Sequence, residues 1–196
     1  MTVVIGYGRI CIKEKKRKLD ITMTETYNQS PCEFRYKIDS CSKVVDGDTV
    51  DVLIDLGFDV LIRQRVRLLG IDTEESRTSD KTEKIYGKHA KKQILKWVTK
   101  AVESDKDDCE IELRCPERDS VGKYGRALGE LWVLEDNNWT NVNKWMCENA
   151  YAVPYVGQNK NDVRDHHMLH RKMLAERGEL VIDEDGTFLT SSGKTN

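Results

Sequence analysis

The chain has 196 residues, of which 38% are hydrophobic and 34% are charged, and its formal net charge is −2. This length suits one domain with a core of its own, whereas the near-neutral charge excludes a uniformly basic nucleic-acid binder. A membrane-spanning helix is excluded as well, since no window approaches the roughly 20 consecutive apolar residues that one requires.

Residues 1–33 are predicted to form a flexible N-terminal extension. They open with a short β-like run, Val3-Val4-Ile5, and continue into a basic patch between Lys13 and Lys18. Charged runs of this kind are common in disordered chain ends. Contact of the basic patch with nucleic acid is the alternative interpretation, and a solvated tail is favoured over it.

Residues 34–68 predict three strands in a meander. Apolar residues alternate with polar ones through Tyr36 and Ile38, then along Val50–Ile54 and along Val60–Leu68. A period of two is the pattern of strands that bury one face. We therefore expect these strands to build one side of a sheet.

The following residues predict two more strands and three helices. The strands fit 109–114 and 127–134, and the helices fit 82–103, about 140–150 and 162–177. Thr140 is the predicted cap of the second helix, and Gly178 is expected to end the third. Residues 182–196 are acidic and rich in Gly, Ser and Thr, so they are predicted to be a disordered tail. The folded domain is accordingly expected to cover residues 34–181.

The cysteines and the N-terminal residues bear on the cellular compartment. The six cysteines are even in number, but no two of them have the C-x-x-C spacing of a zinc ribbon. The N-terminal residues contain no apolar stretch followed by a small-residue cleavage site. We therefore expect a cytoplasmic protein whose cysteines are reduced.

Three short segments place carboxylates and arginines in an order that suits metal-assisted cleavage of a phosphodiester. They are Asp46-Gly47-Asp48-Thr49, the run from Arg67 to Glu75, and Lys123-Tyr124-Gly125-Arg126. A phosphodiester repels hydroxide, so its hydrolysis requires a hard cation, positive groups on the phosphoryl oxygens and a base for the attacking water. The candidates for these roles are, in that order, Asp48 with Asp72, Arg67 with Arg126, and Glu75.

Each candidate also has a purely structural interpretation. An isolated Asp-Gly-Asp is more often a plain turn than a metal site. Here, however, Asp48 opens one strand and Asp72 closes another, so both can converge at one end of the sheet, where they would repel each other without a cation. Asp46 is predicted to lie on the same strand face and to act through water. Alternation places Arg67 beside Arg65 and cannot decide between a surface position and a site position.

Three histidines near the end of the chain invite a different metal interpretation. His166 and His170 are one helical turn apart, but no Glu or third ligand completes a zinc pattern. These two residues and His167 are therefore predicted to be surface histidines of the last helix.

The order and wording of the three segments resemble the staphylococcal (micrococcal) nuclease family over roughly residues 35–180. The resemblance implies an α+β fold, an OB-fold barrel of five strands with three helices. It also implies that calcium is bound by Asp48, Asp72 and the backbone carbonyl of Thr73. Glu75 then matches the general base of the family, and the two arginines on the scissile phosphate match Arg67 and Arg126.

The resemblance extends to the nucleotide. Lys123 and Tyr124 match residues that contact a terminal phosphate, and Tyr155 looks like the aromatic residue beside the base. From the sequence alone, Tyr124 and Tyr155 are equally well explained as rim aromatics, although base stacking suits either one. One departure is visible, because the family usually has Pro between Thr and Glu where this chain has Glu74.

The function that the resemblance implies is a calcium-dependent endonuclease acting on DNA and on RNA. It is expected to prefer single strands, to leave 3′-phosphate ends and to be a monomer that binds no membrane. The first alternative is a non-catalytic nuclease-like OB module that only binds nucleic acid; such modules commonly lose the acids and arginines, all five of which are present here. The second is a protein-interaction adaptor, which a broad apolar surface patch would mark.

Overall fold

The computed structural model of the protein describes residues 34–103, 109–118, 120–122, 124–182 and 188–189. The predictions for the N-terminal extension, residues 1–33, and for Lys123 lie outside the described residues. Within the described ranges, no helix is long and apolar enough to cross a membrane.

The described elements follow the predicted order. They are β1 (Phe34–Asp46), β2 (Thr49–Asp55), β3 (Leu61–Leu68), β4 (Ile71–Asp72), α1 (Lys81–Glu103), β5 (Cys109–Cys115), β6 (Ala127–Glu135), β7 (Asn138–Asn141), α2 (Val142–Glu148), β8 (Val153–Pro154), α3 (Lys160–Glu176), β9 (Val181–Ile182) and β10 (Phe188–Leu189).

Five of these strands form a closed barrel. They are hydrogen-bonded in the order β3-β2-β1-β5-β6, and β3 also pairs with β6. The closing pair is parallel, with Val66 opposite Ala127 and Leu68 opposite Gly129, whereas the other barrel pairs are antiparallel. With three helices packed around it, this barrel confirms the expected α+β OB-type fold.

Alternating apolar side chains fill the barrel. Val50, Val52 and Ile54 of β2 are at most 4% exposed, and Val50 lies directly opposite the fully buried Val66 of β3. Burial of each such side chain contributes about 1.5–3 kcal/mol to folding. The predicted meander is confirmed, because the alternation that predicted the strands is also what builds their core face.

Helix α1 covers one side of the barrel. Its residues Ala90, Ile94, Val98 and Ala101 recur at helical spacing and are buried, in the same hydrophobic cluster as the barrel strands. The amphipathic pattern predicted for residues 82–103 therefore corresponds to a real packing face.

A buried amide on α2 fixes the closure of the barrel. Asn143 donates from Nδ2 to the carbonyl of Leu69 at 2.8 Å and accepts from the backbone N–H of Leu131 at 3.0 Å. The N–H of Leu69 in turn donates to the carbonyl of Gly129 at 2.8 Å. Because a buried polar group without a partner costs about 1–3 kcal/mol, these bonds tie α2 to the end of β3 and to β6.

The helix ends differ slightly from the predicted ones. Asn141, not Thr140, caps α2, since its side chain accepts the N–H of Lys144 at 3.0 Å. Helix α3 begins two residues earlier than predicted because Asn159 caps it. Gly178 ends α3 as expected, with a φ of +69° that favours glycine.

Two short pairings complete the described chain. In β4 and β8, Asp72 lies opposite Val153, so the end of β4 is held against the segment that precedes α3. In β9 and β10, Ile182 lies opposite Phe188. The remaining residues of the predicted tail, 183–187 and 190–196, lie outside the described ranges.

Candidate active site

The candidate carboxylates meet at the end of the barrel where β3 finishes. Asp48 ends the turn between β1 and β2, and Asp72 ends β4. The guanidinium of Arg67 bridges them, since it is ion-paired with Asp48 and lies 2.9 Å from Oδ1 of Asp72. The structure thus decides what alternation left open. Arg65, two residues earlier, pairs with Asp51 on the outer face, whereas Arg67 belongs to the carboxylate cluster.

Asp48 is held rigidly by its neighbours. It is 4% exposed, accepts the hydroxyl of Thr49 at 2.9 Å and accepts the backbone N–H of Thr73 at 3.2 Å. The turn before it requires glycine, because a Cβ on Gly47 would lie 2.9 Å from Ala90 of α1 and from the Thr73 side chain. The Asp-Gly-Asp segment is therefore a tight turn that also fixes the position of a buried carboxylate. The turn interpretation and the site interpretation are thus compatible.

Asp72 is stabilised in its charged form by two neighbouring side chains, His167 and Arg67. Burial alone would raise the pKa of this carboxyl, but the hydrogen bond from His167 and the charge of Arg67 outweigh burial and hold the pKa below its usual value. The distance from Nε2 of His167 to Oδ2 of Asp72 is 3.0 Å. Asp72 is thus ionised at neutral pH, as a cation ligand must be.

The candidate base Glu75 lies on the loop between β4 and α1. Its side chain is exposed, while its neighbour Ser76 is anchored by an N–H that donates to Asp46 at 3.2 Å. A Cβ on Gly87 of α1 would lie 2.5 Å from the backbone of Glu75, so the loop lies directly on the helix. Partial burial, followed by the charge and hydrogen bond of Asp46, raises the pKa of Glu75 above its usual value, which moves it toward the range of a general base.

One cleft gathers most of the predicted site residues. It has a volume of 1340 Å³, and the predicted residues on its wall are Arg67, Asp72, Thr73, Glu75, Tyr124, Arg126 and Tyr155. Asp46 and Asp48 are buried behind this wall, at 6% and 4% exposure. The structure therefore brings the described members of the predicted set together around a single cleft.

The side of the cleft that carries the aromatic residues is more open. Tyr124 is 75% exposed and Tyr155 is 39% exposed, and the guanidinium carbon of Arg126 lies 5.6 Å from the ring centre of Tyr124. A turn closed by the N–H of Gly122 and the carbonyl of Arg126, at 2.8 Å, holds these two residues. The backbone N–H of Tyr155 donates to Gly70 at 2.8 Å, which fixes it beside β4.

The carboxylates have the donor chemistry of a hard-cation site. Within the described chain, no three His, Cys, Asp or Glu side chains are arranged as a metal cluster. Asp48 and Asp72 nevertheless share one cationic partner, Arg67, so their oxygens face a common space. Two carboxylates with a backbone carbonyl and water are the hard ligands of calcium, whose shell holds about six to eight oxygens. The donor types present therefore suit a hard cation such as calcium, and in this structure Arg67 lies between the two carboxylates.

The prediction of three surface histidines is wrong for His167 and His170. The side chain of His167 is only 12% exposed, and His170 is half-buried, which lowers its pKa. His166 is exposed, as predicted. The sequence does not show which face of α3 packs against the rest of the domain, so it could not identify the histidines on that face.

Sequence reasoning also missed Arg171. Its guanidinium donates two hydrogen bonds, of 2.6 and 2.8 Å, to the carboxylate of Glu74. A signal was present, since Val163 and Leu174 are the buried apolar residues of α3 and His167 and Arg171 lie between them at i+4 and i+8. Polar residues on an otherwise apolar stripe indicate partners on the element that the helix covers.

Comparison with known proteins agrees with this geometry. A family model described as staphylococcal nuclease homologue matches residues 65–182. An uncharacterized protein of Methanocaldococcus jannaschii is 30% identical over 130 residues, which cover 58% of this chain and 57% of that protein. The matched part of this chain thus spans less than two thirds of that relative.

Proposed function

Because this chain belongs to the staphylococcal nuclease family, we propose that it is a calcium-dependent endonuclease. Its proposed substrate is single-stranded DNA and RNA, and its products carry 3′-phosphate ends. The observation that carries the proposal is the meeting of Asp48, Asp72 and Arg67 beside Glu75 in one cleft. We also propose that the protein acts as a cytoplasmic monomer.

The proposed reaction begins with a proton transfer at Glu75. Its carboxylate accepts a proton from water, the water oxygen forms a bond to phosphorus, and the bond from phosphorus to the 5′-oxygen breaks. The 5′-oxygen takes a proton from solvent and leaves as a hydroxyl group, Glu75 returns its proton to solvent, and the phosphate remains on the 3′ side. A positioned base of this type contributes about 10²–10⁴-fold to the rate.

Arg67 and Arg126 are proposed to hold the phosphoryl oxygens. A guanidinium suits this role because its planar fork binds two oxygens at once. In the structure, Arg67 pairs with both Asp48 and Asp72 and offsets part of their negative charge. Calcium, when bound to these carboxylates and to the Thr73 carbonyl, supplies the positive charge that polarises the phosphate, and Arg67 can then turn to the substrate.

The remaining residues are proposed to bind the nucleotide. Tyr155 offers an aromatic face at the rim of the cleft, and Tyr124, next to Arg126, also lines the cleft. Stacking of this kind contributes about 1–3 kcal/mol per base and requires an unpaired base. This is the basis for proposing single strands. Lys123 is proposed to contact a phosphate on the strength of the resemblance alone.

The test is cleavage of end-labelled single-stranded DNA and RNA in calcium, in magnesium and in chelator. We expect cleavage in calcium, weak cleavage in magnesium because that ion demands a tight octahedron, and none in chelator. The ends are identified by polymerase extension, which a 3′-phosphate blocks until a phosphatase removes it. Equal rates in chelator would contradict the metal assignment, and binding without cleavage in any metal would favour a non-catalytic module.

A further inference from the structure

Helix α3 contacts the end of β4 and the loop that follows it through two side chains that are one helical turn apart. Nε2 of His167 lies 3.0 Å from Oδ2 of Asp72. Nε and a terminal nitrogen of Arg171 lie 2.6 and 2.8 Å from the two carboxylate oxygens of Glu74. The loop residues between β4 and α1 are thus held from α3 at two successive points, on either side of Thr73.

These contacts are shielded from solvent, which makes them strong. The side chains of Glu74, His167 and Arg171 are 10%, 12% and 20% exposed. The guanidinium carbon of Arg171 also lies 5.1 Å from the ring centre of Tyr86 on α1. A two-bond arginine–carboxylate pair fixes orientation as well as distance. Arg171 therefore links α3, the loop and α1.

Beyond Glu75 the loop is held at Ser76, whose N–H donates to Asp46 at 3.2 Å, and before Glu75 the anchoring side chain is that of Glu74, which pairs with Arg171. Strand β4 is only two residues long, and Glu75 itself is exposed. The peptide that carries Glu75 is attached directly to Glu74, so the direction of Glu75 depends on how firmly Glu74 is held. A misplacement of about 1 Å in a reacting group can cost about 10²-fold in rate.

We infer that Arg171, through its ion pair with Glu74, is a positioning residue for Glu75. The inference rests on the proposed function for what Glu75 does. In this chain the loop is fixed by a side-chain ion pair to α3 at position 74. A proline at that position would fix it through the backbone instead, by locking φ.

The first arm of the test compares Arg171→Met with wild type. Methionine keeps much of the length and apolar contact with Tyr86 but donates no hydrogen bond. We expect kcat on single-stranded DNA, at saturating calcium, to fall about 10–100-fold, with little change in KM. The kcat of Arg171→Lys, which keeps the positive charge but cannot make the two-bond pair, is expected to lie between those of wild type and Arg171→Met. Lys172→Met is the matched control, because Lys172 is the next residue of α3 and is exposed.

The second arm is a rescue. Glu74 is not among the described residues with a positive φ, and proline locks φ, so Glu74→Pro is chosen to stiffen the loop without Arg171. We expect Glu74→Ala to be as slow as Arg171→Met, whereas the double variant Glu74→Pro with Arg171→Met recovers most of the lost kcat. A destabilised fold would not be rescued in this way, and thermal unfolding of each variant checks that point. Amide hydrogen exchange of residues 73–76 should be faster in Arg171→Met and slower again in the double variant.

The outcomes separate the two proposals. If wild type cleaves and Arg171→Met keeps its kcat, or if the double variant stays as slow as Arg171→Met, the positioning role is overturned. If wild type does not cleave under any metal, the proposed function fails. In that case hydrogen exchange of residues 73–76 alone tests the restraint of the loop by Arg171, and unchanged exchange in Arg171→Met would overturn it.

Discussion

The two sides of the cleft are built on different principles. On the acidic side, Asp46 and Asp48 are at most 6% exposed, and each accepts backbone N–H groups. On the aromatic side, Tyr124 and Val156 are 75% and 90% exposed, and Gly125 turns the chain with a φ of +70°. The buried carboxylates behind the proposed cation site are thus fixed before a substrate arrives, while the aromatic groups proposed to meet the bases lie on an open rim.

The largest expected effects come from substitutions on the acidic side of the cleft. Glu75→Gln removes the proposed base, and Arg67→Lys removes the fork while keeping the charge, so each is expected to lower kcat by about 10²–10⁴-fold. Initial rates on single-stranded DNA measure this, and circular dichroism checks the fold. Glu176→Gln and Arg63→Lys are matched controls, since both residues are exposed, one on α3 and one on β3. Near-normal rates in either site variant would support the non-catalytic alternative.

A smaller effect is expected from a substitution on the aromatic side of the cleft. Tyr155→Ala removes an aromatic face worth about 1–3 kcal/mol per stacked base, so KM for single-stranded DNA should rise about tenfold with kcat largely kept. Phe58→Ala is the control, because Phe58 is fully exposed at the turn between β2 and β3. If the loss appeared in kcat and not in KM, the aromatic side would have to be regarded as part of the reacting centre.

The pH dependence sharpens the comparison further. The pKa of Glu75 is raised and that of Asp72 is lowered, so the acidic limb of the pH–rate profile should report Glu75. Activity should fall as the pH drops through a value above the usual pKa of this carboxyl. Asp46→Asn removes a charge that raises the pKa of Glu75, so the limb should move to lower pH.

The profile of kcat/KM between pH 4 and 8 tests this expectation. Asp51→Asn serves as control, because Asp51 pairs with Arg65 on the outer face. A limb that stays in place in Asp46→Asn would show that Asp46 does not set the protonation of Glu75.

The smallest effect is expected from removing residues 1–30. The barrel strands, the cleft wall and the α3 contacts all lie within residues 34–182, so kcat, KM and the melting temperature should stay close to those of the full chain. Insolubility or inactivity of the truncated protein would assign this segment to the fold or to an interface.

Local sequence pattern predicted the parts of the molecule that depend on local physics. Alternation through Val50 and Ile54 defined a strand because each strand buries one face whatever its neighbours are. The cap at Asn141 was missed because Thr140 and Asn141 are both good caps, and only the position of β7 decides between them. Family motifs, not periodicity, singled out Arg67. The contacts of His167 and Arg171 join residues more than 90 positions apart, and no local pattern predicts which loop a helix will cover.

The parallel closure of the barrel sets a distance that loops do not control. Arg67 is paired in register with Leu128, and Arg126 comes immediately before β6. Backbone hydrogen bonds between β3 and β6 therefore help to set the distance between the backbones of the two arginines. The loop from residue 116 to residue 125 can change in length, and with it the contacts of Tyr124, while the strand pairing beside the two arginines stays the same. Under the proposed function, selectivity for the nucleotide can therefore diverge among relatives without altering the strand pairing beside the two arginines.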